Sequence, residues 1–186
     1  MSKHVVAPAL AVLALATATT AQAQQQACVA PADLGDTVIY AMPIAYDAVS
    51  TACARQLKAD GFIARGGDAF IDGFRARQDA AWPGAFRLLK TFMAMDSAGK
   101  GGAEADITAM IAALPEESLR PFVDGLVGQM IAEEIKPDNC GKIERGLELL
   151  SPLPTDNVAD LVAFVVELAE VKNPPICAAL PAKTKK

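Results

Sequence analysis

The residues able to do chemistry in this chain are four cysteines, one histidine and three close pairs of glutamates. The histidine, His4, lies inside a stretch that reads as an export signal. Lys3 supplies a positive start, Val5 to Ala16 an apolar run, and Ala21-Gln22-Ala23 a small-x-small cleavage site before Gln24. Cleavage there removes His4 and leaves a mature chain without imidazole. Imidazole is the base in Ser-His-Asp and Cys-His catalysis and a principal zinc ligand, so the mature chain is expected to have no such catalytic centre, no metal site and no cofactor. Gly99-Lys100-Gly101 lacks the glycine spacing and the Ser/Thr of a phosphate loop. Asp68 to Gly73 has the acids of a calcium loop, but Phe70 stands where an oxygen ligand is needed.

Glycoside hydrolysis needs only two carboxyl groups, one held protonated. The candidate pairs are Glu116/Glu117, Glu133/Glu134 and Glu144/Glu148. None is flanked by aromatic residues that would stack on a sugar. Glu116/Glu117 suits a helix N-terminus, and the other pairs suit solvated helix faces. A histidine-independent hydrolase is therefore the alternative reading of the chain.

The cysteines carry the stronger inference. Outside the reducing cytoplasm Cys28, Cys53, Cys140 and Cys177 are expected to form two disulfides, with three connectivities open. Cys140 starts one expected helix, and Cys177 follows the next. Two helices joined by a short loop lie antiparallel, which favours Cys140–Cys177 and leaves Cys28–Cys53. No Cys-x-x-Cys pair supports redox chemistry.

Six of the ten aromatic residues fall between Phe62 and Phe92, among several basic ones. Tryptophan and arginine are enriched at binding hot spots. Arg75, Arg77, Trp82, Arg87 and Lys90 are thus a candidate partner surface for an acidic protein or the anionic envelope. The same spacing also makes Phe70, Phe74, Phe86 and Phe92 core, buries Trp82 under a loop, and pairs Arg75 with Asp72 and Asp79. Gly125 and Gly128 fit a close helix contact more simply than a pocket.

Helices must position these residues. Apolar positions recur at three and four residues almost throughout, and no alternating run supports a sheet. One helix is expected from about Ile39 to Lys58, with Pro43 in its first turn. The next starts at Asp68 and breaks at Trp82-Pro83. Another carries Phe86, Leu89, Phe92 and Met93. The glycine-rich loop 96–102 divides the chain into two halves. A short helix spans Ile107 to Leu114, and the stripe Leu119, Phe122, Val123, Leu126, Met130 and Ile131 marks a longer one. Helices from Cys140 to Leu150 and from Thr155 to about Glu170 follow, the last apolar nearly all round and so expected at the bundle centre.

Together these make an all-α protein: a signal peptide at 1–23, one helical domain of six or seven helices at 24–182, and a basic tail at 183–186. Loss of Lys3 leaves 16 basic against 22 acidic side chains, with the excess of acid after residue 95. That balance argues against a nucleic-acid partner. Asp160, Glu167 and Glu170 interrupt the most apolar late segment, so no membrane span is expected in the mature chain. The chain reads as a periplasmic or secreted, non-enzymatic protein that binds another protein or an envelope component. A helical pocket protein for an apolar ligand is a further reading.

Overall fold

The computed structural model describes residues 28–98, 114–169, 171 and 174–177. The expected signal 1–23, residues 99–113 and the tail 183–186 lie outside the described residues. Five α-helices occur within them: α1 (Pro31–Ala52), α2 (Asp68–Ala98), α3 (Glu116–Glu134), α4 (Cys140–Leu150) and α5 (Thr155–Leu168). A π-helical turn, Ile63–Gly67, runs into α2, and a 3-10 turn, Pro137–Asn139, runs into α4. The all-α class holds among the described residues, where the only sheet-like pairing is a single parallel bridge between Val29 and Ile176.

Three helices carry an interior proline, and two of them correct expected boundaries, the start of α1 and the break in α2. α1 starts at Pro31, which takes the first helical position, and Pro43 sits buried in its interior. α2 runs unbroken through Trp82-Pro83 to Ala98, so Asp96 to Ala98 of the expected loop are helical. α3 contains Pro121. An interior proline costs about 3 kcal/mol through a lost hydrogen bond and a clash. Burial outweighs it in α2: Ala81, Trp82, Ala85 and Phe86 around Pro83 are all in the core. Each large apolar side chain so buried contributes roughly 1.5–3 kcal/mol.

The centre of the bundle is α1, not the last helix. α2, α3 and α5 all pack against it. Its Ile39 and Tyr40 meet Trp82 and Phe86 of α2, Leu119 of α3 and Ala159 of α5 in one cluster. About two turns further on, Tyr46 joins Phe70, Ile71 and Phe74 of α2 and Val158 of α5. The aromatic concentration seen in the sequence is therefore mostly a core feature. Ring centroids lie 4.9 Å apart in Tyr40–Trp82, 5.2 Å in Trp82–Phe86 and 5.2 Å in Phe70–Phe74. These tilted and edge-on contacts add about 0.5–1.5 kcal/mol each beyond area burial.

All four cysteines are paired, but not as the hairpin argument expects. The bridges are Cys28–Cys177 and Cys53–Cys140. The chain after α5 does not return to the start of α4. It runs beside the N-terminal segment, where the Val29 N–H donates to the Pro175 carbonyl and the Cys177 N–H to the Val29 carbonyl, each at 2.9 Å. That ladder brings Cys177 to Cys28. Cys53 ends α1 and meets Cys140 at the start of α4, both fully buried with Val49 and packed by Leu57, Ile135 and Ile143. One bridge is nested inside the other, so both tie segments distant in sequence.

Candidate functional site

The candidate partner surface does not come together as an open basic patch. Trp82 is only 3% exposed and lies in the core, neither at a helix break nor standing clear of the surface. Its indole Nε1 finds no hydrogen-bond partner among the described residues. Arg75 bridges Asp47 of α1 at 3.0 Å and Asp72 at 3.3 Å, and its guanidinium lies 6.0 Å from the Tyr46 ring centroid. Asp79, the other expected partner of Arg75, instead pairs with Arg120 of α3 at 2.6 Å. Arg77 pairs with Asp156 of α5, and Arg87 with Asp33 of α1 at 2.6 Å. The Lys90 ammonium sits 4.6 Å over the Phe86 ring. Most of these cations of α2 are thus spent on the neighbouring helices, with each exposed pair worth about 0–1 kcal/mol.

The glutamate pairs make other contacts. Glu144 Oε1 accepts the Ile63 N–H at 3.1 Å and so holds the π turn. Glu148 pairs with Arg145 at 2.8 Å, and Glu133 accepts from Gln129 at 2.9 Å. Glu116 and Glu117 occupy the first turn of α3. None of the six carboxylates lines the groove or the cleft that follow. No cluster of three metal-ligating side chains occurs among the described residues.

A groove and a cleft lie along α3. A broad groove of about 700 Å³ runs between α1 and α3. Pro43, Ile44 and Ala48 form one wall, and Gly125, Gly128 and Ala132 the other, with Asp47, Arg75, Gln78 and Asp124 supplying polar groups. Its volume falls in the range of small-molecule sites, about 300–1,000 Å³. The two glycines help to open it. A Cβ on Gly125 would meet nothing within 4 Å, and one on Gly128 would only touch Ile44 Cγ2 at 3.4 Å. Among the described residues no helix approaches either glycine too closely for a Cβ to fit. A second, smaller cleft of about 160 Å³ is almost wholly apolar and is lined by Tyr40, Trp82, Leu89, Phe92, Val123 and Val127. The Tyr40 hydroxyl donates to Asp124, which joins the walls of the two hollows. Burial above all, and then that hydrogen bond, raises the Tyr40 hydroxyl above its ordinary value.

Two helices also turn apolar residues outward. On α3, Phe122, Leu126 and Met130 are 47–61% exposed and lie one turn apart. On α5, only Val158, Ala159 and Ala163 are fully buried. Leu161, Phe164, Val165 and Leu168 are 44–65% exposed. Their spacing of three, four and seven residues puts them on one face, opposite the buried one. Sequence periodicity detects both stripes but reads them as core-facing, because a helix that is apolar on two sides gives no local sign of which side finds a neighbour.

No family model, no curated protein and no solved structure matches this chain. No helix among the described residues is long and apolar enough to cross a membrane.

Proposed function

We propose that this chain is an exported, non-enzymatic binding protein of the bacterial cell envelope that acts on another macromolecule. The observation that carries the reading is the outward apolar face of α5, four large side chains in helix-pairing register on a protein whose core is already satisfied elsewhere. Two disulfides in a chain that begins with a leader-like stretch support export. The paired glutamates give no support to hydrolysis, since none of them lines the groove or the cleft. A second reading, a pocket protein for an apolar ligand, is favoured by one observation: the groove walled on one side by Gly125 and Gly128.

The test is photo-crosslinking in intact cells, with a photoreactive residue placed in turn at Phe164, Phe122 and Gln129. A stoichiometric macromolecular adduct from at least one position is the expected result. Absence of an adduct at all three, with the protein folded and exported, refutes the binding reading. A lipid-like molecule retained in native mass spectrometry would shift the assignment to the pocket.

A further inference from the structure

The outward face of α5 carries a second pattern beside its apolar one. Asp160 and Glu167, seven residues apart, lie along one edge of the stripe formed by Leu161, Phe164, Val165 and Leu168. Neither carboxylate forms an ion pair among the described residues, while Asp156 on the same helix is held by Arg77. From Thr155 to Leu168 the helix contains no lysine or arginine. Its outer surface is therefore an apolar ridge with an acidic edge that no described cation compensates.

That charge pattern selects the occupant. A second copy of the chain pairing antiparallel through α5 sets the acidic edge of one helix beside the acidic edge of the other, which is repulsive. A parallel pair leaves every carboxylate without a counter-charge. An anionic lipid surface repels the same edge, and interfacial helices instead carry lysine and arginine beside their apolar face. A helix with an apolar stripe edged by cations satisfies both features at once. We infer that α5 docks an amphipathic helix of a partner protein whose apolar face is bordered by lysine or arginine. This rests on the binding reading above and names the chemistry of the partner.

The inference is tested with the mature, oxidised chain and two labelled helical peptides of equal length and identical apolar stripe, one edged by lysine and one by glutamate. Fluorescence anisotropy should show the lysine-edged peptide binding at least tenfold more tightly, with the preference shrinking as salt rises. Phe164→Glu should weaken it more than tenfold without changing the circular dichroism melt. Asp160→Lys with Glu167→Lys should remove or reverse the preference while keeping the apolar contact. Equal binding of both peptides, or binding indifferent to Phe164→Glu, overturns the inference. So does a concentration-dependent dimer in sedimentation that Phe164→Glu dissolves, or cosedimentation with phosphatidylglycerol vesicles that the same change abolishes. If the peptides fail while photo-crosslinking still captures an adduct, the basic-helix partner is wrong and the binding reading stands; if no position captures one, the binding reading itself falls.

Discussion

Replacing Gly125 with alanine should stabilise this protein. Gly125 is an interior residue of α3, with helical backbone before and after it. Glycine there costs roughly 0.5–1 kcal/mol relative to alanine, because its unfolded chain has more freedom to lose. The usual reason to keep it is a neighbour too close for a Cβ, and here nothing among the described residues lies within 4 Å. No steric cost opposes the entropic gain, so Gly125→Ala should add about 0.5–1 kcal/mol. For a chain of this size that is a rise in Tm of about 1–4 °C. Gly84 supplies the opposite sign. It lies where α2 approaches α1, and an added Cβ would fall 2.5 Å from the Asp36 Cβ. Gly84→Ala should therefore destabilise by about 1–3 kcal/mol through overpacking. Circular dichroism melts of the two variants beside the parent decide the matter. A lowered Tm for Gly125→Ala would mean that α3 packs closely on another element at that position, and the open groove would be wrong.

Non-reducing peptide mapping should recover Cys28 linked to Cys177 and Cys53 linked to Cys140. Removing the buried bridge by Cys53→Ala with Cys140→Ala should cost about 4 kcal/mol on a chain-entropy estimate, read as a shifted urea midpoint. Phe74→Ala, at a side chain only 1% exposed, should cost about 3–5 kcal/mol in the same assay. Tyr40→Phe should lose about 1 kcal/mol at pH 7 with its hydrogen bond to Asp124. The folded protein holds that phenol proton above the ordinary value of 10.0. The parent's stability is then full below pH 10 and falls as pH rises beyond it, so the gap between parent and Tyr40→Phe should narrow in urea titrations above pH 10. Burial, and then the charge of Asp33, raises the Asp36 carboxyl above its ordinary 3.8. The native state thus penalises the charged form, so Asp36→Asn should be more stable than the parent at pH 7 and lose that advantage in melts taken below pH 4.

The sequence alone determined the secondary structure of most of the chain, because a helix announces itself locally. Thr155 begins a helix as its neighbours imply, and the Ser151 to Pro154 turn separates α4 from α5. The even count of cysteines implied that all would pair. The absence of imidazole after residue 4 is equally a matter of composition. Tertiary structure decided everything that depends on which surfaces meet. Pro83 breaks a helix by its own geometry, yet α2 continues because Trp82 and Phe86 gain more from the core than the proline costs. Cys53 meets Cys140 because the end of α1 packs on the start of α4, a contact between residues 87 apart that no local pattern encodes. α5 faces outward with Phe164 and Leu168, although its composition suits a bundle centre. Periodicity reports that a helix has an apolar side. Which side becomes the core is settled only when neighbouring helices compete to cover it, and here α1 is covered by three of them while, among the described residues, none covers the far side of α5.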